Sequence, residues 1–398
     1  MIKRFRVQNY KALRDVTIDL TSIHVLIGPN DTGKTSILDA LSALSRSVDH
    51  VLPDALGGGW AGRQLVWCGQ ANLPVVFDAV IGDNDELWLY SLTCSFGADG
   101  RIVHVPKESI RILDGRVLAE WAERSKSSMV RSVASLGSPG RDDQDVSAAN
   151  RIYESLKGVH LYRWNPEFLR LPVAPDSKRL FRMEPSGFGL AQCLDDILGD
   201  DRSRFTALES RFRSIFPDIV SIKLKRERGY HAPYDELHEL PRLQEADGKG
   251  LHFEFKGLEE PVAAAQASDG VLLVLAYLCI LYLPTPPRLL LVEEPENGVH
   301  PARLKEVLAI LRELVKEQSR TQVIMTTHSP YVVDLFQPEE VTLCIKEDDG
   351  SISTRRLSDS QKVREQIDVF TLGEIWTGEG DEAIAKSAPP ENEEELRQ

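Results

Sequence analysis

The chain has 398 residues, 42% hydrophobic and 27% charged, with a formal net charge of −14. This is the balance of an ordinary globular protein, long enough for two domains or for one domain with an insertion. Met1–Arg6 lacks the apolar stretch of a secretory signal, the longest apolar run (Val271–Leu283) is too short to span a bilayer, and five scattered cysteines argue against a disulfide framework or zinc site. A cytoplasmic chain without membrane contact is expected.

Along the chain, Ile2–Val7, Val16–Leu20 and Ile23–Ile27 read as strands, and a helix pattern runs from Lys34 to Leu44. Residues 50–70, with Gly57-Gly58-Gly59, read as a surface loop. Leu73–Ile81, Leu87–Phe96 and Arg101–Val105 are strand-like, with turns at Gly82-Asp83-Asn84 and Ala98-Asp99-Gly100, which predicts an antiparallel meander. From Glu108 to about Ile152 the chain is polar, with a mobile loop expected at Gly137-Ser138-Pro139-Gly140. Helical patterns return at Leu190–Leu198 and Phe205–Phe216. After Val262 an apolar helix, the strand Leu289–Val292, the helix Arg303–Glu317 and the strand Gln322–Thr326 alternate, as in a parallel sheet with helical crossovers. The expected organisation is residues 1–105, an inserted helical or lid region with some strands at 106–260, a return at 261–377, and an acidic, disordered tail at 378–398. Charge is uneven: Arg151–Arg228 holds fifteen basic and eleven acidic residues, a net +4, whereas Glu379–Gln398 holds two basic and seven acidic, a net −5.

Gly28-Pro29-Asn30-Asp31-Thr32-Gly33-Lys34-Thr35 fits G-x-x-x-x-G-K-[ST] at every fixed position, after a strand and opening a helix, with Ser36 next in the first turn. Glycines let backbone N–H groups turn in around phosphates, and the helix offers them its positive dipole end. Lys34 is expected to reach the β- and γ-phosphates of ATP, and the Thr35 hydroxyl to sit on Mg²⁺. Leu289–Val292 ends in Glu293-Glu294-Pro295-Glu296, with carboxylates at a strand end where ligands of α/β folds bind. Glu293 is assigned to Mg²⁺ or its water, and Glu294 to polarising the attacking water. Glu296 is either part of that site or a cap for the next helix. His328, at the end of Gln322–Thr327, is placed to sense the γ-phosphate. Ser268-Asp269-Gly270 precedes the apolar helix, where Ser268 is a good N-cap and exposed N–H groups make a second anion site.

Together these motifs resemble the ABC-type ATPases of the RecF, SMC and OLD group, and within it the soluble AAA-type ATPases. The resemblance covers Phe5–Leu44 and roughly Phe188–Trp376. Phe5–Leu13 resembles the family's first strand and turn, Ser268-Asp269-Gly270 its signature, Glu293–Pro301 its Walker B and D-loop, and His328-Ser329-Pro330 its switch histidine. It implies an α/β ATPase head: a mixed sheet with a parallel core, an antiparallel N-terminal meander and an inserted helical lid. It also implies a head-to-tail homodimer in which ATP is sandwiched between the phosphate loop of one subunit and Ser268 and Gly270 of the other. Glu293 stands where the family has aspartate, Ser-Asp-Gly replaces the transporters' Leu-Ser-Gly-Gly, and Gln64, Gln70 and Gln192 all remain candidates for the Q-loop.

Lys34 and Glu293 are 259 positions apart, too far for a compact transporter subunit. Seventy residues follow His328, and Glu379-Gly380-Asp381-Glu382 only faintly resembles the start of a TOPRIM nuclease domain, so no such domain is expected. The expected function is a dimeric ATP-hydrolysing switch in DNA repair or anti-phage defence. The alternatives are a regulator of a separate nuclease or effector, and a nucleotide sensor without hydrolysis. DNA is an expected partner if Arg202, Arg204, Arg211, Arg213, Lys223, Lys225, Arg226 and Arg228 share a face.

Overall fold

In a computed structural model the described residues are all but 57–63, 71, 84–85, 97–102, 113–115, 123–126, 129, 133–142, 232–241, 318–320 and 389–398. The turns at 82–84 (in part) and 98–100, the triple glycine at 57–59, the loop at 137–140 and the tail beyond 388 therefore lie outside them. The strands are β1 (Ile2–Tyr10), β2 (Leu13–Asp19), β3 (Ile23–Ile27), β4 (Val75–Asp83), β5 (Glu86–Phe96), β6 (Val103–Ile112), β7 (Val117–Trp121), β8 (Val159–Tyr162), β9 (Ile219–His231), β10 (Arg242–Phe255), β11 (Val262–Ala263), β12 (Leu289–Glu293), β13 (Gln322–Thr326), β14 (Val341–Lys346) and β15 (Ile352–Arg356). The helices are α1 (Lys34–Arg46), α2 (Leu52–Leu56), α3 (Asp143–Leu156), α4 (Pro166–Leu169), α5 (Leu190–Asp200), α6 (Arg202–Ile215), α7 (Asp269–Leu281), α8 (Pro301–Glu317), α9 (Pro330–Val333), α10 (Gln361–Gln366), α11 (Leu372–Glu379) and α12 (Asp381–Lys386).

Two compact units share the chain: Met1–His160 with Pro287–Leu291 and Arg320–Gln398, and Leu161–Pro286 with Val292–Ser319. The region expected as one insertion, 106–260, is divided between them.

The first unit holds two sheets. One is the expected meander, with order β2-β1-β4-β5-β6-β7 and antiparallel pairing throughout. It runs further than its sequence suggests, because β6 continues to Ile112 through a polar stretch. Glu108 makes that possible: the carboxylate is fully buried yet accepts from Tyr90 Oη at 3.0 Å, Ser128 Oγ at 2.9 Å and the Val130 N–H at 3.1 Å. A buried carboxylate is tolerable when donors replace its water.

The other sheet has the order β15-β14-β3-β13-β12-β8. β3 is parallel to both β13 and β14, and the edge strand β15 is antiparallel to β14. β12 starts beside β13, where the Gln322 N–H donates to the Arg288 carbonyl at 2.8 Å. The central strands are buried along their whole length, as a parallel core covered on both faces requires. The result is a mixed sheet with an antiparallel N-terminal part. Gln322 joins the two sheets by accepting from the Ile2 N–H at 3.0 Å and donating to the Ile2 and Thr21 carbonyls at 2.8 and 2.9 Å.

The second unit packs α5, α6, α7 and α8 with the sheet β11-β10-β9. α7 is buried from Val271 to Leu281, so it is the core helix and not a surface one. One departure concerns the C-terminus: residues 381–386, expected as disordered tail, form α12, because Ile384 is fully buried and the Gln361 N–H binds the Ser387 carbonyl at 3.1 Å. No helix among the described residues is long and apolar enough to cross a membrane.

Candidate nucleotide site

In the first unit β3 delivers the chain into Gly28 (φ 131°), where a Cβ would run into the Cys344 carbonyl oxygen of neighbouring β14. Only glycine fits that approach. Asp31 (φ 63°) and Gly33 (φ 78°) continue the left-handed turns that point peptide groups inward. Thr32 Oγ1 donates to the Pro29 carbonyl at 2.8 Å, closing the loop on itself. Lys34 is buried, and its ammonium donates to the Gly28 and Pro29 carbonyls at 2.8 and 2.6 Å, which holds it across the loop. Thr35 is exposed on the first turn of α1, with Ser36 beside it. The N-cap Gly33 supplies no side-chain cap, and the positive end of the helix dipole at this N-terminus suits an anion. An ammonium, two hydroxyls and a helix N-terminus form a donor set that fits a polyphosphate, with Thr35 as the hydroxyl a divalent cation would take.

His328 follows β13 in the same unit. The Thr327 N–H donates to the Leu26 carbonyl at 3.1 Å, so the strand end before His328 is fastened beside the strand end before Gly28. Ser329 then occupies the N-cap position of α9, with its N–H bound to Thr327 Oγ1 at 3.0 Å. Asp334, just past α9, accepts from the Gly373 N–H at 2.7 Å, which pins the histidine's turn onto α11.

In the second unit the acidic turn is locally strained. Glu294 has φ 47°, unusual for a residue with a Cβ, and strained backbone concentrates at working sites. Asn297 holds it there: its Nδ2 donates to Glu294 Oε2 at 2.6 Å and its N–H to the Glu294 carbonyl at 3.0 Å. Glu293 pairs through Oε2 with Arg163 Nε at 2.5 Å. Beside them lies a cavity of about 190 Å³, with Tyr162, Trp164, Leu273 and Tyr277 on its apolar side and Arg163, Glu293 and Glu294 on its polar side. The Trp164 ring packs at a tilt against Tyr162 and Tyr277, with ring centroids 4.9 and 4.5 Å apart. Burial pushes both phenols above their ordinary pKa, so they stay neutral at this wall. Glu293 and Glu294 are of the type that holds a divalent cation and orients a water.

Ser268 occupies the N-cap position of α7, and its carbonyl accepts from the Val271 N–H at 3.1 Å. Its hydroxyl, expected to cap the helix, makes no cap hydrogen bond and is exposed. Gly270 lies close to Gly298 (φ 77°) of the turn after Glu294: a Cβ on Gly270 would stand 3.7 Å from the Gly298 carbonyl oxygen. The acidic turn and the Ser-Asp-Gly loop are thus packed together.

Two findings revise the sequence expectations. Gln192 is spent as a structural residue, buried with Nε2 on the Asp176 carbonyl at 3.0 Å, and drops out as a Q-loop candidate. The basic residues do not share one face. Arg204 pairs with Asp200, Arg211 with Glu313 and Lys223 with Glu254, while strand alternation turns Lys223 and Lys225 to one side of β9 and Arg226 and Arg228 to the other. Glu379 and Asp381 are taken up locally, Glu379 by Lys362 and Gln366 and Asp381 by Trp376 Nε1 at 2.7 Å. Sequence reasoning missed Arg163, Asn297 and Arg170. The available signal for the first was the apolar run Val159–Tyr162 ending at an arginine just before the helix start Asn165-Pro166.

The chain is similar to known proteins in sequence and in fold. Residues 23–334 match the family AAA_21, described as "AAA domain, putative AbiEii toxin, Type IV TA system". An OLD nuclease from Thermus scotoductus is 23% identical over 393 residues, covering 91% of this chain; the chain spans 65% of that protein's length. Among solved structures, an SMC head bound to the C-terminal winged-helix domain of ScpA superposes with a TM-score of 0.51 at 16% identity, over 90% of this chain and 98% of that one.

Proposed function

The chain belongs to the AAA_21 family of P-loop ATPases, with an SMC-head-like fold, and on that premise we propose that it binds ATP with Mg²⁺, hydrolyses it, and works as a head-to-tail dimeric switch. The observation that carries this is the phosphate loop: Gly28 and Gly33 in left-handed turns around a buried Lys34 at the head of α1. In this reading Gly28–Ser36 cradle the phosphates and Lys34 and Thr35 meet the phosphates and the metal. Glu293 takes the metal or its water, Glu294 orients the attacking water, and His328 senses the γ-phosphate. Mg²⁺ would neutralise the charge that develops on the phosphoryl oxygens.

The exposed Ser268 hydroxyl, free of helix capping, favours a partner's nucleotide as its target. Each nucleotide would then need residues of two subunits, which predicts complementation in trans. Lys34→Ala and Ser268→Arg should each abolish turnover, while an equimolar mixture should regain up to about a quarter, because one composite site in a mixed dimer is intact. A mixture that stays inactive while both variants remain folded would contradict the sandwich. Activity of Ser268→Arg alone would do the same.

The likeness to an OLD nuclease favours a DNA-linked role, in repair or defence, over control of a separate effector protein. Duplex DNA should stimulate turnover, and steeply less so as salt rises.

A further inference from the structure

Residues 163–170, all in the second unit, carry an arginine at each end of a firmly held short segment. The Arg163 N–H donates to the Pro185 carbonyl at 2.9 Å and the Asn165 N–H to the Ser186 carbonyl at 2.9 Å. Asn165 Oδ1 accepts from the Glu167 N–H at 2.9 Å and so caps α4, with Pro166 preset for its first turn. Leu169 fills the space beside Gly187 (φ 98°), where any Cβ would collide with it. The two guanidinium groups reach different targets. Arg163 Nε meets Glu293 Oε2 at 2.5 Å, whereas Arg170 Nη2 donates to Asp269 Oδ1 at 2.6 Å and Nη1 to the Ala265 carbonyl at 3.4 Å. Gly298 lies between: a Cβ there would be 3.7 Å from Asp269 Cβ and 3.8 Å from Pro166 Cγ.

We propose that residues 163–170 are a strap that couples the charge partner of Glu293 to the placement of Ser268, with Arg163 and Arg170 as positioning residues. A carboxylate oxygen paired with a guanidinium is not equally available to a divalent cation, so cation and Arg163 compete for Glu293. Arg163 is 44% exposed, so its release is not opposed by deep burial of its charge. Release of the Arg163 side chain frees the end of the strap beside Glu293 while its backbone bonds to Pro185 and Ser186 persist, the grip of Arg170 on Asp269 weakens, and the first turn of α7 loosens or shifts. The coupling itself stands on the two ion pairs. Only the identity of the releasing cation rests on the nucleotide-binding function proposed above.

Amide hydrogen exchange of the full chain tests it, read at Val271 and Leu272, whose N–H groups close the first turn of α7 on the Ser268 carbonyl. Without nucleotide, Arg163→Ala and Arg170→Ala should each raise exchange there by about threefold or more, and the double variant should add little, as coupled residues do. Glu293→Gln, which discharges the partner without touching the strap, should give the same rise, and it decides the matter if Arg163→Ala does not fold. In the wild type, ATP with Mg²⁺ should reproduce the rise and ATP with a chelator should not. Unchanged exchange in Arg163→Ala and Glu293→Gln, or effects that simply multiply in the double variant, would overturn the strap. Failure of the wild type to bind ATP in equilibrium dialysis would instead overturn the nucleotide site, and the ligand-free comparison would still decide the strap.

Discussion

His24 shows how tightly the central strand is sealed. It lies fully buried on β3 between Thr21 Oγ1 at 3.1 Å and Thr342 Oγ1 at 3.0 Å, and burial, helped by the nearby Arg356 charge, lowers its pKa to about 3. The folded ring therefore stays neutral down to about pH 3, while in the unfolded chain it protonates near 6.5. Between those values the unfolded chain binds the extra proton, so this contribution is complete above pH 6.5 and is lost as pH falls toward 3. Its share between pH 6.5 and pH 4 is about 3 kcal/mol. Urea unfolding at a series of pH values should show a shallower acid slope in His24→Gln than in the wild type by about that amount. Equal slopes would mean that the ring is hydrated in the folded state. Lys34 and Glu294 show the other residue-scale theme, side chains held under constraint, Lys34 by the Gly28 and Pro29 carbonyls and Glu294 by Asn297.

At the scale of elements, α6 illustrates capping in the second unit. Asp201 accepts from the Ser203 N–H at 2.8 Å and the Arg204 N–H at 3.3 Å, two donors that the helix cannot satisfy itself. The Ser203 hydroxyl, which donates to the same oxygen at 2.6 Å, and then these two N–H groups hold its carboxyl below the usual carboxylate range. Asp201→Ala should cost about 1 kcal/mol, seen as a lower urea midpoint at unchanged slope. No loss would show that another group caps the helix. Elements with one clear period were legible in the sequence: β3, β12 and β13 as apolar runs, α8 as an amphipathic helix, and the phosphate loop between strand and helix. β9 was not. Its stretch Lys223–Arg228 is exposed almost throughout, so charge masks the alternation, and only Ile222 and Leu224, paired with Phe253 and Leu251, mark an inner face. Nor could a sequence show that Val173 bridges both Tyr230 and Lys249, a contact that needs the bare backbone of Gly229 and Gly248. The candidate site was legible wherever a motif carries its own spacing. It was illegible where long-range pairing supplies the partner, as for Arg163 on Glu293, 130 positions away.

For the whole molecule, the first unit sets β3 and β13 side by side, so the strands that lead into the phosphate loop and the histidine are neighbours. The proposed function therefore draws on this strand adjacency as well as on the phosphate-loop motif. The second unit carries the Ser-Asp-Gly loop, the acidic turn and the strap as one packed group, so events at the acidic turn have a physical route to Ser268. The most direct test of the central claim compares phosphate release by the wild type and Glu294→Gln, with ATP binding measured on the same samples. Both should bind ATP with Mg²⁺, and the variant should release phosphate about a hundredfold or more slowly, the scale of losing a positioned base. Equal release by the two, or binding without release in either, would contradict the account of Glu294 as the residue that turns a nucleotide site into an ATPase.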